Sequence, residues 1–160
     1  MGFVAGSRYA LPTREKMLGR ADALRAAGLS DGLVAHEEFS VLGGRAALRE
    51  LIKRSDGDRP SGVICSSDLM AIGAVQEALA LGLRVPEDIS VVGFDGIDAA
   101  GWTQPPLTTV EQPIDEIART AVAALRAQVD EPVARQPNYV FRPRLRIGGT
   151  TAPPSATSTS

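Results

Sequence analysis

"ISVVGFDGIDAAGWTQPPLTTVEQP", residues 89–113, is the stretch that decides the fold. Its first six residues, Ile89 to Phe94, are largely apolar, and they end abruptly at Asp95-Gly96. A near-continuous apolar run of this length, rather than an alternating one, reads as a strand buried on both faces of a parallel sheet. Such a strand then delivers one carboxylate, Asp95, at its carboxyl end. Beyond it come small, polar and Pro-rich residues, a short extended piece from Leu107 to Val110, and Pro113, suited to the first turn of another helix.

The same grammar repeats to either side. Gly2 to Ala5 reads as a buried strand. A helix follows from about Pro12 or Thr13, with Thr13 as cap, Met17, Ala21 and Leu24 as its stripe, and Gly28 as its stop. Leu33 to Ala35 reads as a short strand, and Ser40 precedes a helix whose apolar side carries Leu48, Leu51 and Ile52. After the turn "RSDGDRPSG" comes the strand Gly62 to Cys65. It runs straight into a helix capped by Ser66 or Ser67, with Met70, Ala74, Ala78 and Leu81 down one face. Asp68 stands there as a cap or as a partner of the helix dipole. Ile114, Ile117, Ala121, Val122, Leu125 and Val129 give the last helix a strong stripe. From Tyr139 to Ile147, arginines 142, 144 and 146 interleave with apolar residues, the pattern of an edge-like, half-exposed strand. Residues 152–160 read as a disordered tail. Alternating strands and helices predict an α/β fold: an open parallel sheet with helices on both faces.

Composition narrows the function. The 17 Lys+Arg against 19 Asp+Glu leave a net charge of −2, which argues against a nucleic-acid-binding surface on this chain. The single cysteine, Cys65, and single histidine, His36, leave no disulfide framework and no support for a metal site or catalytic triad. Phosphate-binding glycine loops and a G-x-S-x-G elbow are absent from the sequence, which disfavours a nucleotide enzyme and an α/β-hydrolase. No cofactor and no catalysis are expected. No stretch reaches membrane-span length, and the start has no signal-peptide pattern, so the protein reads as cytoplasmic. "GFVAG" at the outset is already a core strand, which implies preceding sequence.

Ligands bind beyond the carboxyl ends of strands in such sheets. Asp95 suits paired hydroxyls, as on a sugar, or else shapes the Asp-Gly turn; spacing alone leaves both readings open. Phe39 and Trp102 offer flat faces for stacking, or sit in the core. Arg14 and Lys16 are cations in a first helical turn, or part of a solvated face.

Residues 66–113, "SSDLMAIGAVQEALALGLRVPEDISVVGFDGIDAAGWTQPPLTTVEQP", closely resemble the LacI/GalR family of bacterial transcription regulators. That family shows N-D-x-x-A-x-G, then G-L-x-V-P-x-D-[IV]-S-[VI]-[VI]-G-[FY]-D, then P-P-L-T-T-[VI]. The resemblance runs from "GFVAG" to "TTAPP". It implies the C-terminal part of an effector-binding core, residues 1–151, in a periplasmic-binding-protein-like fold of two lobes. The second lobe would be residues 1–107 and 137–151, the returning helix of the first lobe residues 113–130, and the DNA-binding domain absent. It further implies a small-molecule effector, such as a sugar, a homodimer, and operator DNA contacted only through the absent domain. Effector contacts would fall on Asp95, Phe39, Lys16, Arg14 and Ser67. Lys16 stands where the family usually has Arg, and donates from a point rather than a planar fork. Ser67 replaces the usual Asn, and Gly96 a frequent second Asp. A stand-alone periplasmic-type sugar-binding protein is the alternative. The stripe of the last helix is expected to pack on this lobe or on a second copy.

Overall fold

A computed structural model describes residues 1–56, 58–130 and 137–153. In chain order these form β1 (Gly2–Ala5), α1 (Leu11–Ala26), β2 (Val34–His36), α2 (Val41–Arg54), β3 (Gly62–Cys65) and α3 (Asp68–Ala80). There follow β4 (Ser90–Asp95), a 3₁₀ turn (Asp98–Gly101), β5 (Thr108–Glu111), α4 (Ile114–Asp130) and β6 (Arg144–Arg146). The strands pair in the order β2-β1-β3-β4-β5-β6. The first five run parallel, and β6 returns antiparallel to β5, with Val110 opposite Leu145. The sheet is therefore parallel with one antiparallel edge.

Strand periodicity sorts the side chains into two layers. Val4, Val63, Cys65 and Val91 face one way and join Leu48, Leu51, Met70, Ala71, Ala74, Val75 and Ala78 of α2 and α3 in one buried cluster. Full burial of a side chain such as Leu48 contributes about 2 kcal/mol. The two helices touch closely because Gly44 lies against the Met70 carbonyl and Gly73 against that of Val41, where a Cβ would overlap. On the other face, α1 lies over Phe3 and Phe94. The Arg20 guanidinium is 5.7 Å from the Phe3 ring centroid and the Lys16 ammonium 3.7 Å from that of Phe94. Helices thus lie on both faces.

Two local expectations need correction, and a third loses one of its two alternatives. Thr13 does not cap α1. The helix begins at Leu11 behind Ala10, without a side-chain cap, and Thr13 is buried in its first turn. The anchor of that helix is its own Pro near the N-terminus, whose fixed φ suits the first turn. Leu81 is exposed rather than part of the α3 stripe, because the helix has ended at Ala80. And α4, for all its stripe, buries no residue. Ile114, Val122, Leu125 and Val129 are all more than half exposed, so the helix does not pack on this lobe. Of the expected tail, residues 154–160 lie outside the described residues.

Candidate functional site

In an open sheet the crevice forms where consecutive connections leave in opposite directions. Here that point lies between β1, whose chain goes to β2, and β3, whose chain goes to β4. Past these two strand ends, the Ser66 hydroxyl accepts the Gly6 amide at 3.3 Å. A groove of about 730 Å³ opens here, lined by Pro12, Glu15, Lys16, Phe39, Ser66, Ser67, Phe94, Asp95 and Gln112.

Asp95 is the last residue of β4. Its carboxylate accepts Gln112 Nε2 at 2.8 Å, and its carbonyl accepts the Gln112 amide at 3.1 Å. The backbone amide of Asp68 also acts on this carboxylate, favouring its charged form. Burial raises the Asp95 pKa above the usual carboxylate range, opposed by the Lys16 charge and the Gln112 hydrogen bond. The backbone there is unusual: φ is 127° at Asp95 and 80° at Gly96. A non-glycine residue in that region is held by its surroundings, at a cost of about 1–3 kcal/mol.

Lys16 lies across the groove floor. Its ammonium donates to the Ser66 carbonyl at 2.9 Å while resting over the Phe94 ring. Burial lowers its pKa, with Asp95 and Asp68 acting the other way. Phe39 forms a wall, 42% exposed, so one ring face is free for stacking. Its other face covers Gly6, where a Cβ would overlap the ring.

Four of the five expected contacts, Asp95, Phe39, Lys16 and Ser67, meet in this groove. Arg14 does not. It points outward from α1 and is exposed; one residue further along the helical turn, Glu15 takes the place at the rim. Ser67 is nearly buried and its hydroxyl accepts the Met70 amide at 3.3 Å as the cap of α3. Trp102 is 79% exposed, away from the groove, beside Leu79 of α3. The sequence reading missed Ser66, Phe94 and Gln112. Strand phase puts Phe94 on the face opposite Val91, under α1. Gln112 needs the β4–β5 register, which sets Asp95 opposite Glu111.

Metal chemistry finds no clustered ligands among the described residues. Among those residues, no helix is long and apolar enough to cross a membrane. The groove brings together one half-buried carboxylate, one ammonium, one amide and two aromatic faces, groups able to meet a polar ligand.

Comparison with known proteins agrees with that layout. Residues 1–151 match the family model described as periplasmic binding protein-like domain. An uncharacterized HTH-type transcriptional regulator in the aml 5′ region of Streptomyces limosus is 40% identical over 157 residues, covering 95% of this chain and 44% of that protein. The solved complex of the transcriptional regulator CelR with cellobiose is 32% identical with a TM-score of 0.87, over 93% of this chain and 46% of that one. A dimeric Lac repressor with an 11-residue C-terminal deletion is 27% identical with a TM-score of 0.88, over 96% of this chain and 56% of that one. The chain thus spans about half the length of the relatives it matches. It belongs to the periplasmic binding protein-like domain family, in the form carried by LacI/GalR regulators.

Proposed function

We propose that this chain is the effector-sensing lobe of a LacI/GalR-type transcriptional regulator, and that its effector is a neutral sugar. The carrying observation is Asp95, a half-buried carboxylate that lines the same groove as the partly exposed ring of Phe39. A carboxylate pairs with vicinal hydroxyls while an aromatic face covers the C–H side of a sugar ring. The cellobiose held by the CelR relative supports this chemistry. The regulator reading is preferred to a stand-alone sugar-binding protein because the relatives include an HTH-type regulator.

Residues 1–107 and 137–151 are the second lobe in this reading, and residues 113–130 the element that returns to the first. DNA contact belongs to a domain outside this sequence, and the setting is the cytoplasm. Effector binding shifts the balance between two lobe arrangements and so the spacing of paired DNA-binding heads. The protein acts as a binder rather than a catalyst. In this chain alone, the exposed stripe of α4 meets the same stripe of a second copy, making a homodimer. Light scattering that reports a monomer at high concentration counts against that dimer.

One wall of the cleft gives weak affinity. Cellobiose, added at millimolar levels, is expected to shift the amide NMR signals of Gly6, Ser66, Asp95 and Gly96. No response to any neutral sugar in a panel refutes the effector reading. Micromolar binding by calorimetry refutes the incomplete cleft.

A further inference from the structure

Asp68 opens α3 as the acid of its first turn and is fully buried, and its side chain also reaches beyond its own helix. The cap is Ser67. The expected roles of Asp68, cap or dipole partner, leave its three hydrogen bonds unexplained. Its Oδ2 accepts the amides of Gly96 and Ile97 at 2.8 and 2.9 Å, and its Oδ1 accepts the Thr109 hydroxyl of β5 at 2.5 Å. The carboxylate reaches these partners through a slot in β4. At Gly93, two residues before Asp95, a Cβ would overlap Asp68 Oδ1. A buried charge is tolerated when its hydrogen bonds are complete, and bonds to an ionised acceptor are the stronger kind.

The two amides held by Asp68 are those that immediately follow Asp95, in the turn where Asp95 and Gly96 both take positive φ. Among the described residues these two amides donate to Asp68, while the Asp95 side chain takes its hydrogen bond from Gln112. We propose that Asp68 is a positioning residue for the sugar edge: it holds the Gly96 and Ile97 amides from α3, braces against β5 through Thr109, and so aims the Asp95 carboxylate into the groove. The proposal rests on the reading of Asp95 as the effector contact. Lys16 and Asp68 carry the charges that shift Asp95, Glu15 shares its groove, and Glu111 stands opposite it on β5.

The test uses Asp68→Ala, Asp68→Asn and Thr109→Val in the full chain, followed by NMR. Asn keeps the shape and one acceptor oxygen for the two amides, while its own amide group donates to the Thr109 oxygen. In D68A, hydrogen exchange at Gly96 and Ile97 is expected to rise by about ten- to a hundredfold relative to Val63 in β3, as for a lost bond to a charged acceptor. D68N restores most of that protection, and T109V falls between the two. D68N also lowers the titration midpoint of Asp95, because the Asp68 charge is one of the influences that raise it. Unchanged exchange at Gly96 and Ile97 in D68A, with β3 still protected, overturns the proposal. If D68A does not fold, an unmoved Asp95 midpoint in D68N together with unchanged exchange in T109V overturns it. Cellobiose shifts provide the second arm. A D68A chain that responds to cellobiose like the unaltered chain also overturns the positioning role. An unaltered chain that ignores all sugars counts against the effector reading alone, since the exchange data stand independently of any ligand.

Discussion

Asp95→Asn separates the two roles that spacing leaves open for this residue. If Asp95 binds ligand rather than building the turn, removing its charge should cost binding and spare the fold. The fold terms nearly cancel. Asn still accepts the Gln112 Nε2 bond now made at 2.8 Å, losing about 1 kcal/mol as the acceptor becomes neutral. Asn tolerates positive φ as Asp does, so the backbone at 127° gains no new strain. Against that loss stands relief of desolvation. Burial raises the folded pKa of Asp95, so the ionised form is disfavoured in the native state. For a carboxyl whose folded pKa is raised, this penalty is present above the folded pKa. It is gone once pH falls below the unfolded value, about 3.9, and Asn removes it at every pH. The net change in stability is within about 1 kcal/mol, or roughly 2–4 °C in Tm for a chain of this size. Binding is different: loss of a charged acceptor for sugar hydroxyls costs about 1.5–3 kcal/mol, roughly 10- to 150-fold in Kd. Thermal denaturation followed by circular dichroism and cellobiose titration followed by NMR read the two separately. A Tm drop beyond about 8 °C with the cellobiose response intact refutes the reasoning and makes Asp95 a turn former.

Gly6→Ala places a methyl group where the Phe39 ring now lies, so the ring swings out. The expected result is a lost cellobiose response with little change in Tm, since Phe39 is 42% exposed; a Tm collapse would mean that Phe39 is core. Glu77→Gln is expected to destabilise by about 2 kcal/mol, read by urea unfolding, because the buried carboxylate takes Arg45 at 3.1 Å and Arg49 at 2.7 Å. Burial alone would raise the Glu77 pKa, but the hydrogen bonds and charges of Arg49 and Arg45 outweigh it, and the net direction is down. A lowered folded pKa means this stabilisation is complete above the unfolded value, about 4.3. It is lost as pH falls through the folded one, so the urea midpoints of E77Q and the unaltered chain converge in acid. Cys65 is fully buried and its thiol is pushed far up by burial, so iodoacetamide should label it only at the rate of unfolding; rapid labelling of native protein contradicts that burial.

The elements legible in the sequence are those whose determinants are local. β4 announces itself through Ile89 to Phe94, and α3 through the spacing of Met70, Ala74 and Ala78, all of them buried. Asp95, Phe39 and Lys16 come together because each follows, or lies above, the carboxyl end of a parallel strand. Arg14 fails for a local reason as well. Adjacent helical residues differ by about 100° in direction, so the face of α1 that puts Lys16 over Phe94 must turn Arg14 away.

What stays illegible depends on register and on contacts distant in sequence. Gln112 reaches Asp95 only because β4 and β5 pair with Asp95 opposite Glu111. Asp68 looks like a helix-start acid until Gly93, Gly96, Ile97 and Thr109 are brought around it. The same partners explain the glycine within the apolar run of β4: its missing Cβ is the space the carboxylate fills. The opening stretch therefore carries both Asp95 and the slot that Asp68 fills. α4 shows the converse. Its stripe is fully legible, but amphipathicity records only that a helix has a partner, and none of its residues finds one in this lobe.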